Sequence, residues 1–174
     1  LFYLQPSTCA EAMREIEKID KSSIAFQLII NALSITESEA ACDAITNIII
    51  NRLQDKELTP QLLPALATSS APTQKSIDHI FSLAFTNSVS DSDFIATTAQ
   101  LTVAAMVKNI RLNDPVFSKA MEQKIIRNLQ NTNDTLQFIL VMGNLASGES
   151  FNYLKKLVED KYVSMQFKEE AVLA

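Results

Sequence analysis

The chain has 174 residues, 47% of them hydrophobic and 20% charged, with a net charge of −5 and an isoelectric point near 4.9. That apolar content excludes disorder. The acidic balance excludes a nucleic-acid backbone binder, which needs clustered Lys and Arg, and Lys155-Lys156 is the one adjacent basic pair.

Two glycines and five prolines are too few to turn the hairpins of a sheet protein, so helices joined by short links are expected. The first spans about Thr8 to Ile19, with Thr8 and Glu11 spaced as a capping box. The second, Ser23 to Ser34, is apolar on nearly every side (Ile24, Phe26, Leu28, Ile30, Leu33), so it must be covered on more than one face. Thr36 with Glu39 repeats the cap signature and opens an amphipathic helix with Ala41, Ile45, Ile48, Ile49 and Leu53 along one stripe. Thr59-Pro60 reads as a cap with proline at the first helical position, before a short helix through Leu62, Leu63 and Leu66 whose first turn Pro64 distorts. Residues 69–72, Ser-Ser-Ala-Pro, form the clearest linker and the place for a hinge.

Ile77, Ile80, Phe81, Ala84 and Phe85 define the next helix. After polar residues 87–93, Asp91 or Ser92 caps a long helix ending near Ile110, again apolar nearly all round. Asp114-Pro115 opens a helix whose stripe (Val116, Phe117, Met121, Ile125, Ile126, Leu129) is set opposite Lys119, Glu122, Lys124 and Arg127. A polar turn, Asn131 to Asp134, precedes the greasy helix Leu136 to Ala146. The turn Ser147-Gly148-Glu149-Ser150 separates that helix from one with Phe151, Leu154 and Leu157, and a last helix begins near Ser164.

Amphipathic helices thus alternate with helices apolar on several faces, and comparable starts near Glu37, Pro72, Asp114 and Glu149 recur at roughly 35–42 residues. About nine helices in this order imply an all-α fold, an α-α superhelix of two layers of antiparallel hairpins in a single domain over 1–174. No apolar run reaches a membrane span. The chain begins at Leu1, so it reads as part of a longer protein, and the lack of a signal peptide is uninformative about compartment.

The residues name no catalytic, cofactor-binding or metal-ligating group. His79, the one histidine, sits beside Lys75 and Ser82 on a polar face. Cys9 and Cys42 lack the spacing of a metal site and the context of a nucleophile, and each is expected to be a buried small hydrophobe. Glu37, Glu39 and Asp43 complement a helix start, and Glu15, Glu17 and Glu169-Glu170 are solvated faces. An enzyme is therefore not expected.

The segment from Phe94 to Ala174 resembles the helical superhelix of the large lipid transfer proteins: vitellogenin, apolipoprotein B, apolipophorin and the microsomal triglyceride transfer protein. The match is clearest over residues 141–150, Val-Met-Gly-Asn-Leu-Ala-Ser-Gly-Glu-Ser, followed by Phe151, Leu154 and Leu157. Members tend to show an apolar residue, Gly-Asn, a small-residue turn, an acidic residue and a helix with similarly spaced Leu. Thr98 to Val107 and Gln166 to Ala174 resemble flanking helices of the family, Ala146 stands where a glycine is common, and the first half shows no clear family motif.

Gly143 within a helix costs about 1 kcal/mol relative to Ala unless a neighbour packs close. Gly143, Asn144 and Gly148 are therefore read as a structural joint, with a crossing helix against Gly143 and Asn144 bonding toward a neighbouring turn. The resemblance implies a scaffold beside a lipid cavity whose β-sheet walls lie in neighbouring domains. It implies lipid contact through those domains, surfaces for other protein segments, and a secreted or secretory-lumen location. A generic HEAT-like scaffold for protein segments is the alternative.

Overall fold

The computed structural model describes residues 6–16, 18–20, 23–36, 38–51, 58–85, 93–130 and 134–174, and among these every regular element is an α-helix. In chain order they are α1 (Pro6–Ile16), α2 (Ile24–Ser34), α3 (Glu39–Asn51), α4 (Leu58–Ala67), α5 (Gln74–Phe85), α6 (Asp93–Ile110), α7 (Pro115–Leu129), α8 (Thr135–Leu145), α9 (Gly148–Glu159) and α10 (Met165–Leu173). The even-numbered helices pack successively, α2 on α4, α4 on α6, α6 on α8 and α8 on α10, while α1, α3, α5 and α7 form a parallel row behind them. This is the expected two-layer α-α superhelix. One continuous apolar cluster runs between the layers from Cys9 to Ala171, with Ile45, Leu62, Ile77, Val103, Ile125 and Met142 fully enclosed.

The even layer is stitched by a ladder that the apolar pattern does not announce. Thr102 Oγ1 donates to the Leu63 carbonyl 39 residues earlier, and Asn109 Nδ2 to the carbonyls of Ala67 and Ser69. One repeat later, Gln137 Nε2 donates to the Thr97 carbonyl at a separation of 40, and Asn144 Nδ2 reaches Leu101 O at 3.5 Å and a separation of 43. The recurring separation is the repeat length. Each such bond is worth about 0.5–1.5 kcal/mol net and is specific in register, which hydrophobic packing alone is not. The Asn109 bonds tie residues 67–69 to α6, and Ser69 itself is buried.

Several helix starts lie where the sequence places them. Ser23 accepts the Phe26 N–H, Asp114 that of Phe117 with Pro115 at the first helical position, and Asp134 that of Gln137. Others are corrected. Helix α1 begins at Pro6, so Thr8 lies inside it rather than capping it. Ser38 Oγ accepts the Ala41 N–H at 3.4 Å and opens α3, whereas the Thr36 hydroxyl donates back to Leu33 O and closes α2. Helix α4 begins at Leu58, which places Thr59 and Pro60 in its first turn, where N–H groups lack intrahelical partners anyway. Pro64 lies beyond the first turn and the helix runs through it to Ala67, with Pro64 on the exposed side. Asp91, Ser92, Glu37 and residues 131–133 lie outside the described residues.

Candidate interaction surface

The two layers differ in electrostatics. Helices α2, α4 and α8 contain no charged residue at all, and α6 has Asp93 and Lys108 as its only ones, whereas α10 at the end of the even row carries Lys168, Glu169 and Glu170. The odd-numbered helices present charge outward: Glu11, Arg14 and Glu15 on α1, Lys75 and Asp78 on α5, and Lys119, Lys124 and Arg127 on α7. A solvated face is ordinarily charged.

The even layer leaves large apolar side chains uncovered, as the odd layer does at Val116 and Phe151. Ile24 is 79% exposed, Leu28 63%, Phe94 66%, Leu136 41% and Leu140 39%. Ile24 and Leu28, and likewise Leu136 and Leu140, are one helical turn apart, so each helix offers a stripe rather than a stray residue. Between α2 and α4, Gln27 Nε2 donates to Gln61 Oε1 on the exposed side at 2.9 Å, a contact between neutral groups. Apolar stripes of this kind are poorly matched to water.

The turn between α8 and α9 gathers several polar side chains. Arg111, just after α6, donates to the Leu145 and Ala146 carbonyls at 2.6 and 2.9 Å and thereby satisfies the otherwise orphaned C-terminus of α8. Glu122 of α7 is buried; it accepts a short hydrogen bond from the Ser147 hydroxyl and has Arg111 Nη2 at 4.0 Å. Ser147 and Ser150 cap α9 reciprocally. Glu122 was expected on the solvated side of its helix. The structure turns it inward because its neighbours one turn away, Ser118, Ile125 and Ile126, are all on the buried side.

Gly143 and Asn144 lie side by side on α8. A Cβ on Gly143 would stand 2.8 Å from the Ala174 Cβ and 2.9 Å from its carbonyl oxygen, so the glycine admits the end of the α10 segment. Asn144 faces α6, and Gly148 opens α9 with open space around it. The left-handed residue in this turn is Ala146, at φ 44° and ψ 50°. A groove of about 570 Å³ lies between α8, α9 and α10, lined by Gly143, Phe151, Leu154, Val158 and Val172.

Cys9 and Cys42 are both free and buried. Burial pushes the Cys42 thiol above its ordinary range; hydrogen bonds from Ser76, Thr73 and Ser69 oppose the shift and the Asp43 charge adds to it. His79 is on the exposed face of α5, whereas both cysteines are buried. Among the described residues, no helix is long and apolar enough to cross a membrane.

No curated protein and no solved structure matches the chain. The family model described as the vitellogenin TPR domain matches residues 5–174, which extends the likeness seen in the second half to nearly the whole chain. The chain belongs to the vitellogenin TPR domain family, the helical domain of the large lipid transfer proteins.

Proposed function

We propose that this domain is a non-enzymatic scaffold in a vitellogenin-like lipid transport or storage protein, with its even-numbered layer lying against the wall of a lipid cavity formed by neighbouring domains. The observation that carries the reading is the surface of α2, α4, α6 and α8, poor in charge and with exposed Ile24, Leu28, Phe94, Leu136 and Leu140. Water is a poor partner for such a face, and burying one such side chain contributes about 1.5–3 kcal/mol. The buried cysteines, one with its thiol held protonated, fit a structural role better than nucleophilic chemistry.

The test is a photo-crosslinking residue at Phe94 or, for comparison, at Lys75, in the lipid-loaded protein as its host makes it. Adducts to other domains of the same protein or to lipid from position 94, with none from position 75, are expected. Equal labelling from both positions would sink the reading. Adducts from position 94 to unrelated proteins alone would favour the generic scaffold. The isolated chain is expected not to take up lipid stoichiometrically, because the cavity walls lie elsewhere.

A further inference from the structure

The odd-numbered helices run parallel, so their N-termini share one edge of the molecule. On that edge each N-cap from α3 onward meets a polar side chain of the odd-numbered helix before it. Thr73, which caps α5 through the Ser76 N–H, donates its hydroxyl to Asp43 Oδ1 of α3 at 2.5 Å, and the Ser76 hydroxyl donates to the same oxygen at 2.7 Å. Asp114, the cap of α7, accepts from Gln74 Nε2 of α5 at 2.5 Å. Ser147, the cap of α9, donates to Glu122 of α7, and Ser38, the cap of α3, has Cys9 Sγ of α1 at 4.0 Å. The rungs persist where apolar packing ends: among the described residues α7 and α9 do not pack on each other, yet their rung is present. The opposite ends are different. Among the described residues, the C-terminal halves of α3, α5 and α7 exchange no hydrogen bond or ion pair with one another.

We propose that this line of caps is a hinge edge: the superhelix changes its curvature by swinging the odd-numbered helices apart at their C-terminal ends while the cap edge holds. The two edges differ in what a separation must break. Parting the caps strips hydrogen bonds from the buried Ser76 and Glu122 and the half-buried Asp43, groups that are costly to leave unpaired. Parting the C-terminal ends breaks no such bond between α3, α5 and α7. Between α7 and α9 it gives up the exposed bond from Gln130 Nε2 to the Tyr153 hydroxyl, which water can replace. The even-numbered layer supplies the frame, because its ties run from side chains to main-chain carbonyls, and it joins the cap edge through the short links 35–38, 68–73, 111–114 and 146–147. Whole helices rotating about a fixed edge keep each hairpin intact, as in other hinge motions. The swing is the same whatever the even-numbered layer faces.

Pulsed electron spin resonance distances on the intact chain test the hinge, with the spin labels carried on oxime-linked ketone residues so that the two native thiols stay untouched. One label pair, at Glu39 and Val116, spans α3 to α7 at the cap edge. The other, at Asn51 and Asn128, spans the same helices at their far ends, and all four positions are exposed. The parent should give a narrow distance distribution for the first pair and a broader one for the second. Asp43→Ala with Gln74→Ala removes both rungs between α3 and α7 and leaves the cap bonds of Thr73 and Asp114 in place, so the cap-edge distribution should widen until it matches the far one. Asn109→Ala, which cuts ties in the even-numbered layer, should leave the cap-edge distribution as narrow as in the parent. Equal widths for the two pairs in the parent would overturn the proposal. So would a cap-edge distribution that stays narrow in the folded double variant, or one that widens as much in Asn109→Ala. If the double variant unfolds, Gln74→Ala alone, at an exposed position, decides the matter: it removes one rung, and a cap-edge distribution left unwidened by it would overturn the proposal.

Discussion

At the scale of single residues, the backbone of Ala146 is out of keeping with its side chain. A left-handed conformation costs an L-residue with a Cβ about 1–2 kcal/mol, and glycine adopts it without that penalty. After the larger unfolded-state entropy of glycine is subtracted, Ala146→Gly is expected to stabilise by about 0.5–1 kcal/mol and to raise the melting temperature by about 1–4 °C. An unchanged or lower melting temperature would show that the turn is not strained. Cys42 gives a second expectation. Its folded-state pKa is raised above the ordinary 9.0, so the folded chain keeps the proton while the unfolded chain begins to lose it. The associated stability is complete below the unfolded pKa and is lost as pH rises through the folded one. Urea midpoints of the parent and Cys42→Ala should therefore converge above about pH 9. Curves that stay parallel into the alkaline range would contradict this.

At the scale of elements, the apolar periodicity located the helices well, and Asp114-Pro115 was read correctly because a side-chain acceptor followed by proline has one local meaning. The caps near Thr36 and Thr59 were misplaced because hydroxyls serve either end of a helix. Thr36 closes α2 where Ser38, two residues on, opens α3. Glu122 was misread because a carboxylate defaults to solvent unless its partners are known, and these, Arg111 and Ser147, come from other elements. The clamp they form fixes how α9 leaves α8. Arg111→Met is expected to cost about 2–4 kcal/mol, since it leaves the buried Glu122 carboxylate uncompensated, and Glu122→Met should cost less, because Arg111 is 31% exposed and keeps its two carbonyl acceptors. The double variant should cost less than the sum by about 1 kcal/mol or more. Additive losses in denaturant unfolding would mean that the two side chains act independently.

At the scale of the whole molecule, the repeat length and the alternation of greasy with amphipathic helices were legible, because burial of α6 and α8 on several sides demands apolar residues all round. The lack of packing between α7 and α9 among the described residues was not, since it depends on how far successive hairpins rotate, which no local pattern encodes. The same is true of the amide ladder: Asn109 and Gln137 look like surface residues until a carbonyl from the preceding repeat is placed against each. With each hairpin bonded mainly to the next, stability is close to a sum of neighbour terms. Among the described residues, helix α6 packs on α4, α5, α7 and α8, whereas α1 touches only α2 and α3, and α10 only α8 and α9. Amide hydrogen exchange should accordingly be slowest in α6 and in the facing turns of α4 and α8, and rise toward α1 and α10. Asn109→Ala, which removes two ladder bonds, should speed exchange in α4 and the turn after it more than in α8. Uniform protection along the chain, or an Asn109→Ala effect spread equally over all the described helices, would instead mark one cooperative unit and rule out neighbour-by-neighbour stacking as the source of its stability.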